Sequence, residues 1–484
     1  MPLPTSSPSA QHVDARGVLA LLDALEAGGH DPHSLLVARH GHVIARGWWA
    51  PYSADRNQLV YSLSKSFTAA TVGLLVDAGR VALEDKVFDL IPATEVPAGA
   101  EIHERFTRLT LGHCLTMATG HEVDAWTAAV GKAARTPSDD GTDPVLGAIL
   151  ANPPEQEPGT VWAYNQIATY LAGAVVRAVT GDGLLEFARP RLLDPLGAHD
   201  VRWHRTATGR ELGFSGIHVG SDAILALAQT HLDAGRWDGE QLLSPEWVAR
   251  AVAPSGLPNT EADPNPDWAQ GYGCSFWNAR HGYRGDGAYG QYAIVLPEED
   301  IAIAITSEAV DMQAVLELVW AHLLPAVDRD GDAAADDDLA DRLAALQVPT
   351  PASTGTGPDE ASWTRAGDST LPEAYGAASL SRSGAAYELV LDHDGTKAPI
   401  TVGDGAWTES VLAVDGAELP VVAAGGWQED GTFTADLRLI ETPHSVQVRT
   451  HTDGTVTLGW REVPLHGPDP VNVAVRGPAL PAQT

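Results

Sequence analysis

The chain has 484 residues, 44% of them apolar, the make-up of a globular protein of two or three domains. Its 64 acidic against 30 basic residues leave a formal net charge of −34, which makes nucleic acid and anionic membrane surfaces poor partners. No apolar run approaches the roughly 18 residues of a membrane span, and the first residues carry neither a basic start nor an export cleavage pattern.

In chain order, residues 18–27 predict an amphipathic helix and residues 34–49 a hairpin turning at Gly41. Residues 64–78 predict a helix buried on most sides, closed by Gly79. Further helices are expected over 109–119, 165–180, 221–235, 245–253 and 312–322. Between the last two, QYAIVLP and IAIAITS predict a pair of buried strands. Residues 326–365 turn rich in Asp, Ala, Pro and Thr and predict a linker with a short helix over 339–346. Beyond it helix signals cease. Strands are expected over 387–392, 399–402, 418–422, 433–440, 445–450 and 456–463, so residues 366–484 predict a separate all-β barrel or sandwich.

Chemistry concentrates in Ser62-Leu63-Ser64-Lys65. A serine hydroxyl needs a base beside it, and residues three apart share a helix face, so Lys65 can lie against Ser62. Burial would lower the lysine pKa and let it exchange a proton. The chain holds only four lysines (Lys65, Lys86, Lys132 and Lys397), which makes the placement of this one informative. Cys114 and Cys274 lie in apolar surroundings without a pairing pattern and are expected as reduced, buried thiols. His33, His40 and His42 are expected as surface histidines rather than metal ligands. No Gly-x-Ser-x-Gly elbow occurs, and Gly285-x-Gly287-x-x-Gly290 leads into a strand rather than a helix, which argues against a dinucleotide site.

The run YSLSKSFTAATVGLLVDAGRVALEDKVFDLIP resembles the class C β-lactamase and penicillin-binding esterase family, within the serine β-lactamase and penicillin-binding protein group. Three further stretches carry the resemblance: LTLGHCLTMATG, PGTVWAYNQIATYLAG and YRGDGAYGQYAIVLPEEDIAIAIT, so that it covers about residues 34–325. It implies an α/β fold, an antiparallel sheet flanked by helices plus a helical subdomain, with residues 1–325 as the catalytic domain. It implies Ser62 as nucleophile, with Lys65 and Tyr164 moving the proton. The N–H groups of Ser62 and Ala288 would form an oxyanion hole. Gln166 stands where the family has asparagine, keeping the carboxamide one methylene farther out. The family's third-motif cation is replaced by Gly285, in Gly285-Asp286-Gly287, with Arg284 beside it. Strand alternation points Arg284 to the opposite face unless the backbone bulges. His121, Gln166, Arg284, Asp286 and Gly287 are therefore the candidate substrate-binding residues. His218-Val219-Gly220 imitates another family motif but stands before a helix, and is read as structural.

The resemblance implies a serine hydrolase forming an acyl-enzyme on a small ester or amide, without metal or organic cofactor, and the two unpaired cysteines with no export pattern make the cytoplasm the expected compartment. A homodimer is compatible with it. Two relatives in reaction type are a penicillin-binding-type thioesterase that cyclises peptides and a D-amino-acid peptidase. A non-catalytic binding protein on the same fold is the alternative from another class.

Overall fold

The computed structural model describes residues 3–259 and 265–473; the outermost residues of the two expected domains, 1–2 and 474–484, lie outside the described residues. The chain forms two compact units, one from residues 3–47 and 60–344, the other from residues 48–59 and 345–473.

In the first unit, helix α1 (Ala15–Ala27) starts where the Asp14 side chain accepts from the Arg16 N–H, and it buries Val18, Leu21, Leu22 and Leu25. Such i, i+3, i+4, i+7 spacing gives one apolar stripe. Strands β1 (Pro32–Arg39) and β2 (His42–Trp48) follow. Helix α2 (Ser64–Asp77) buries eleven of its residues, so it has almost no polar face. A short helix α3 (Leu111–Leu115) is capped by Thr110. Helix α4 (Gln166–Thr180) has Asn165 as its N-cap and stops at Gly181, whose φ of 81° only glycine takes easily. Then come the short strand β3 (Ile217–Val219), and helices α5 (Ser221–Leu232) and α6 (Pro245–Val252).

Four strands complete the main sheet: β4 (Trp277–Asn278), β5 (Tyr283–Gly287), β6 (Gln291–Leu296) and β7 (Ile301–Ser307). The six strands are ordered β2-β1-β7-β6-β5-β4. Pairs β1–β7, β7–β6, β6–β5 and β5–β4 are antiparallel. Helix α5 packs across β1, β6 and β7, while α2 and α4 pack against each other. Helix α7 (Met312–Leu318) and helix α8 (Ala333–Ala344) end the unit, with α8 against α1. This is the antiparallel sheet with flanking helices that the resemblance implied. Among the described residues no helix is long and apolar enough to cross a membrane.

Several boundaries differ from expectation. The helix expected over 109–119 keeps only Leu111–Leu115, because Met117 adopts φ 59° and its carbonyl receives the Ala163 N–H instead. The stretch expected as a linker is divided. Helix α8 buries Ala335 and Leu339 and belongs to the first unit, whereas residues from 345 onward belong to the second. His33 is fully buried beside Asp31 rather than on the surface; His40 is exposed and His42 partly so. Both cysteines are free and buried.

The second unit is a sheet of nine strands: β8 (Glu360–Arg365), β9 (Tyr375–Ser383), β10 (Ala386–His393), β11 (Thr396–Gly403), β12 (Thr408–Val414), β13 (Ala417–Trp427), β14 (Phe433–Leu439), β15 (Ser445–Thr450) and β16 (Thr455–Trp460). Neighbours are antiparallel except where β8 meets β16 and where Gly403 of β11 pairs with Ala424 of β13. That last pairing joins β11, one end of the strand order, to β13, the strand next to the other end, and closes the sheet into a barrel. Alternate residues such as Tyr387, Leu389 and Leu391 fill its interior. Residues 48–59 join this unit through backbone bonds from Ala50 N to Leu346 O, Val348 N to Ala50 O and Leu59 N to Glu441 O.

Candidate active site

Ser62 lies in a single tight helical turn, Tyr61–Leu63, that runs directly into α2. Ser64 fastens this turn: its hydroxyl donates to the Tyr61 carbonyl and accepts from the Ile217 N–H at 3.1 Å. Lys65, one helical turn on, is 1% exposed. Its Nζ stands 3.1 Å from Ser62 Oγ, 2.7 Å from Gln166 Oε1 and 3.0 Å from the Phe214 carbonyl oxygen. All three partners are uncharged. Burial therefore dominates and pushes the Lys65 pKa down to about 7, against the smaller opposing pull of Asp124 and then Asp286.

Tyr164 presents its ring to the same amine, with Nζ 4.5 Å from the ring centroid. The ring is stacked on Trp277 at 5.5 Å and meets Tyr272 edge-on at 6.0 Å. Ser62, Lys65, Tyr164 and Gln166 are thus brought together from the first turn of α2 and the entry to α4.

Strand β5 lies against the nucleophile's turn. A Cβ on Gly287 would stand 2.0 Å from the Val60 carbonyl oxygen, and one on Gly285 would stand 2.5 Å from Ser66 Oγ. Gly287 therefore faces the nucleophile's turn and Gly285 the start of α2, and only residues without side chains permit this approach. Ala288 follows immediately, which brings its backbone beside the Ser62 turn.

Alternation sends Arg284 and Asp286 to the other face, and β5 and β6 pair without a register shift, so no bulge turns Arg284 back. The fully buried Arg284 bonds Asp286 through Nε at 3.1 Å and the Asp267 carbonyl through Nη1 at 3.1 Å, and lies 4.2 Å over the Trp268 ring. Its charge is consumed there and does not supply the missing cation at Ser62. Asp286 also accepts from Trp277; burial raises its carboxyl pKa and Arg284 opposes that rise.

His121 is 3% exposed with both ring nitrogens engaged, Nδ1 by the Thr119 hydroxyl at 3.0 Å and Nε2 by the Asn152 carbonyl at 3.0 Å. A carbonyl only accepts, so Nε2 carries the proton, and burial lowers the ring's pKa. With both nitrogens engaged in this way, His121 ties the loop at Thr119 to Asn152. His218 lies within β3, its Nε2 3.1 Å from His204 Nε2.

Three residues around Lys65 and Tyr164 carried no sequence motif. Asp124 accepts the Gln166 N–H at 3.0 Å and raises the lysine pKa, opposing burial. Phe214 contributes a backbone oxygen, and Trp277 a stacking surface. An acid four residues after the Thr119-Gly120 loop was the one available signal for Asp124. Among the described residues no group of side chains is arranged to hold a metal.

The family model for Beta-lactamase matches residues 22–327. Penicillin-binding protein 4 of Amycolatopsis lactamdurans is 27% identical over 297 residues, covering 54% of this chain and 75% of that one. Two solved structures share the fold. The octameric penicillin-binding protein homologue from Pyrococcus abyssi matches at a TM-score of 0.50 with 14% identity, over 87% of this chain and 97% of that one. EstCE1, a hydrolase with promiscuous acyltransferase activity, matches at 0.50 with 17% identity, over 63% and 97%. The chain belongs to the Beta-lactamase family.

Proposed function

We propose that this protein is a serine hydrolase that forms an acyl-enzyme on Ser62 from an ester or amide. One observation carries the proposal: Lys65 is buried among neutral acceptors 3.1 Å from Ser62 Oγ, with its pKa near 7. An amine of that pKa is substantially unprotonated at neutral pH and can take a proton from the hydroxyl. Ser62 Oγ then bonds to the substrate carbonyl carbon while its proton passes to Nζ. The carbonyl oxygen becomes an oxyanion received by the N–H groups of Ser62 and Ala288. As the tetrahedral intermediate collapses, the leaving group departs with a proton returned by the Lys65 ammonium, Tyr164 serving as relay. Water attacks the ester on Ser62 by the same route in reverse, freeing the acid and the serine.

Gln166 orients the amine through its Oε1, leaving its amide nitrogen for a substrate carbonyl. The occupied Arg284 and the carboxylates of Asp124 and Asp286 disfavour acyl donors with a carboxylate beside the scissile bond. Neutral esters and amides are the substrates this charge pattern supports.

The test is the intact mass of the full chain after a fluorophosphonate probe, for wild type, Ser62→Ala and Lys65→Ala. A single adduct on wild type, absent in Ser62→Ala and slower in Lys65→Ala, is expected. Labelling that survives Ser62→Ala, or none on wild type, overturns the assignment and favours a binding protein on the same fold.

A further inference from the structure

The two residues that flank the proposed oxyanion hole share an unusual backbone. Tyr61, just before Ser62, has φ 47°, and Tyr289, just after Ala288, has φ 66°. A bulky side chain is uncommon in this region and persists only where its surroundings hold it there. The two tyrosines meet each other, with ring centroids 5.3 Å apart and planes inclined at 59°. Tyr61 is buried and Tyr289 half-buried.

Their backbones are pinned as well. The Tyr61 carbonyl accepts from Ser64 Oγ. In a trans peptide the C=O and the following N–H point in opposite directions, so fixing this carbonyl fixes the aim of the Ser62 N–H. The Tyr289 carbonyl receives Ser307 Oγ at 2.8 Å, Gln291 Nε2 at 3.1 Å and the Ala309 N–H at 3.0 Å. The Ala288 carbonyl receives Gln291 Nε2 at 3.2 Å. Between the tyrosines, Gly287 presses β5 so close that a Cβ there would stand 3.1 Å from Leu63 N.

We propose that Tyr61 and Tyr289 are positioning residues, a ring clasp that holds the nucleophile's turn against the end of β5 and so aims the Ser62 and Ala288 N–H groups at one oxyanion. This rests on the serine hydrolase reading above. It adds two residues whose role is to set backbone geometry rather than to attack or to move a proton. The rings act through the backbone, so their effect falls on the charged intermediate rather than on ground-state binding.

The experiment compares Tyr289→Phe, which keeps the ring, with Tyr289→Gly, which keeps the left-handed turn and loses the ring. The full chain is assayed on p-nitrophenyl acetate for kcat, KM and pH profile, and titrated with phenylboronic acid, whose tetrahedral serine adduct places an oxygen in the hole. Tyr289→Gly is expected to lower kcat by about 10²-fold and weaken boronate binding in parallel. KM should stay within about twofold, and the pH midpoint should hold at the Lys65 value. Tyr289→Phe should retain wild-type behaviour within about threefold. Asparagine, which also tolerates left-handed backbone, replaces glycine if the glycine variant does not fold. A kcat unchanged in Tyr289→Gly, or a shifted pH midpoint, overturns the clasp while leaving Ser62 as nucleophile. A wild-type chain that takes no fluorophosphonate overturns the hydrolase reading first, and the clasp with it.

Discussion

Lys65 and Arg284 are both buried cations on elements that abut each other, yet their surroundings put them to opposite uses. Arg284, 0% exposed, has a carboxylate at 3.1 Å, a backbone carbonyl and an indole face, so its charge is matched where it stands. Lys65, 1% exposed, bonds a hydroxyl, a carboxamide and a carbonyl and faces the Tyr164 ring, while the carboxylates that favour its charged form lie outside hydrogen-bond reach. Depth is the same in both. A carboxylate in direct contact makes one cation structural, and its absence leaves the other with a proton that moves at neutral pH.

The comparison can be broken in order of expected effect. Replacing the loosely held cation, Lys65→Met, should lower kcat/KM on an activated ester by about 10³-fold or more. The same change should raise stability at neutral pH. The folded pKa lies near 7, below the ordinary lysine value of 10.5, so the unfolded chain binds more protons between those limits. Native Lys65 therefore destabilises the fold most below pH 7, and progressively less as pH rises toward 10.5. Melting of Lys65→Met against wild type at pH 6 and pH 9 should show the larger gain at pH 6.

Breaking the matched pair should do the reverse. Asp286→Leu leaves Arg284 buried without its carboxylate and should cost about 3–5 kcal/mol in denaturant unfolding. Wild-type stability in that variant would mean that the carbonyls and Trp268 suffice for the guanidinium. Gly287→Ala tests the approach of β5 to the nucleophile's turn. With Val60 O only 2.0 Å from the new Cβ, the strand must retreat, and kcat should fall by about 10²-fold. The gentlest change sharpens the comparison. Asp124→Asn keeps the oxygen that accepts from Gln166 N but removes a charge that raises the lysine pKa. The acid limb of kcat/KM, expected to rise through pH 7, should shift to lower pH; a shift upward would mean that Lys65 is not the titrating base.

Local chemistry was readable where its parts are close in the chain. Ser62 and Lys65 lie within one helical turn, and Tyr164 and Gln166 flank the Asn165 cap of α4, so short stretches brought each pair to view. Asp124 and the Phe214 carbonyl reach the lysine from loops with no motif, and a backbone oxygen leaves no trace in residue type. The clasp was hidden for a similar reason, since left-handed φ in tyrosine contradicts local preference and is imposed from outside. Helix α8 was obscured because its Asp-rich composition resembles a solvated tether, although Ala335 and Leu339 bury themselves.

By itself, then, the sequence determined most of the elements and the serine–lysine spacing, because periodicity and i, i+3 geometry are local properties, while the antiparallel sheet with its flanking helices was implied by the family resemblance. Tertiary structure alone decided which unit residues 48–59 join, and that Arg284 is neutralised by Asp286 while Lys65 meets only uncharged groups. It also decided that His121 is tied down by Thr119 and Asn152. Charge state, exposure and partner are set by groups distant in the chain, and a buried ion changes its chemistry with each of them.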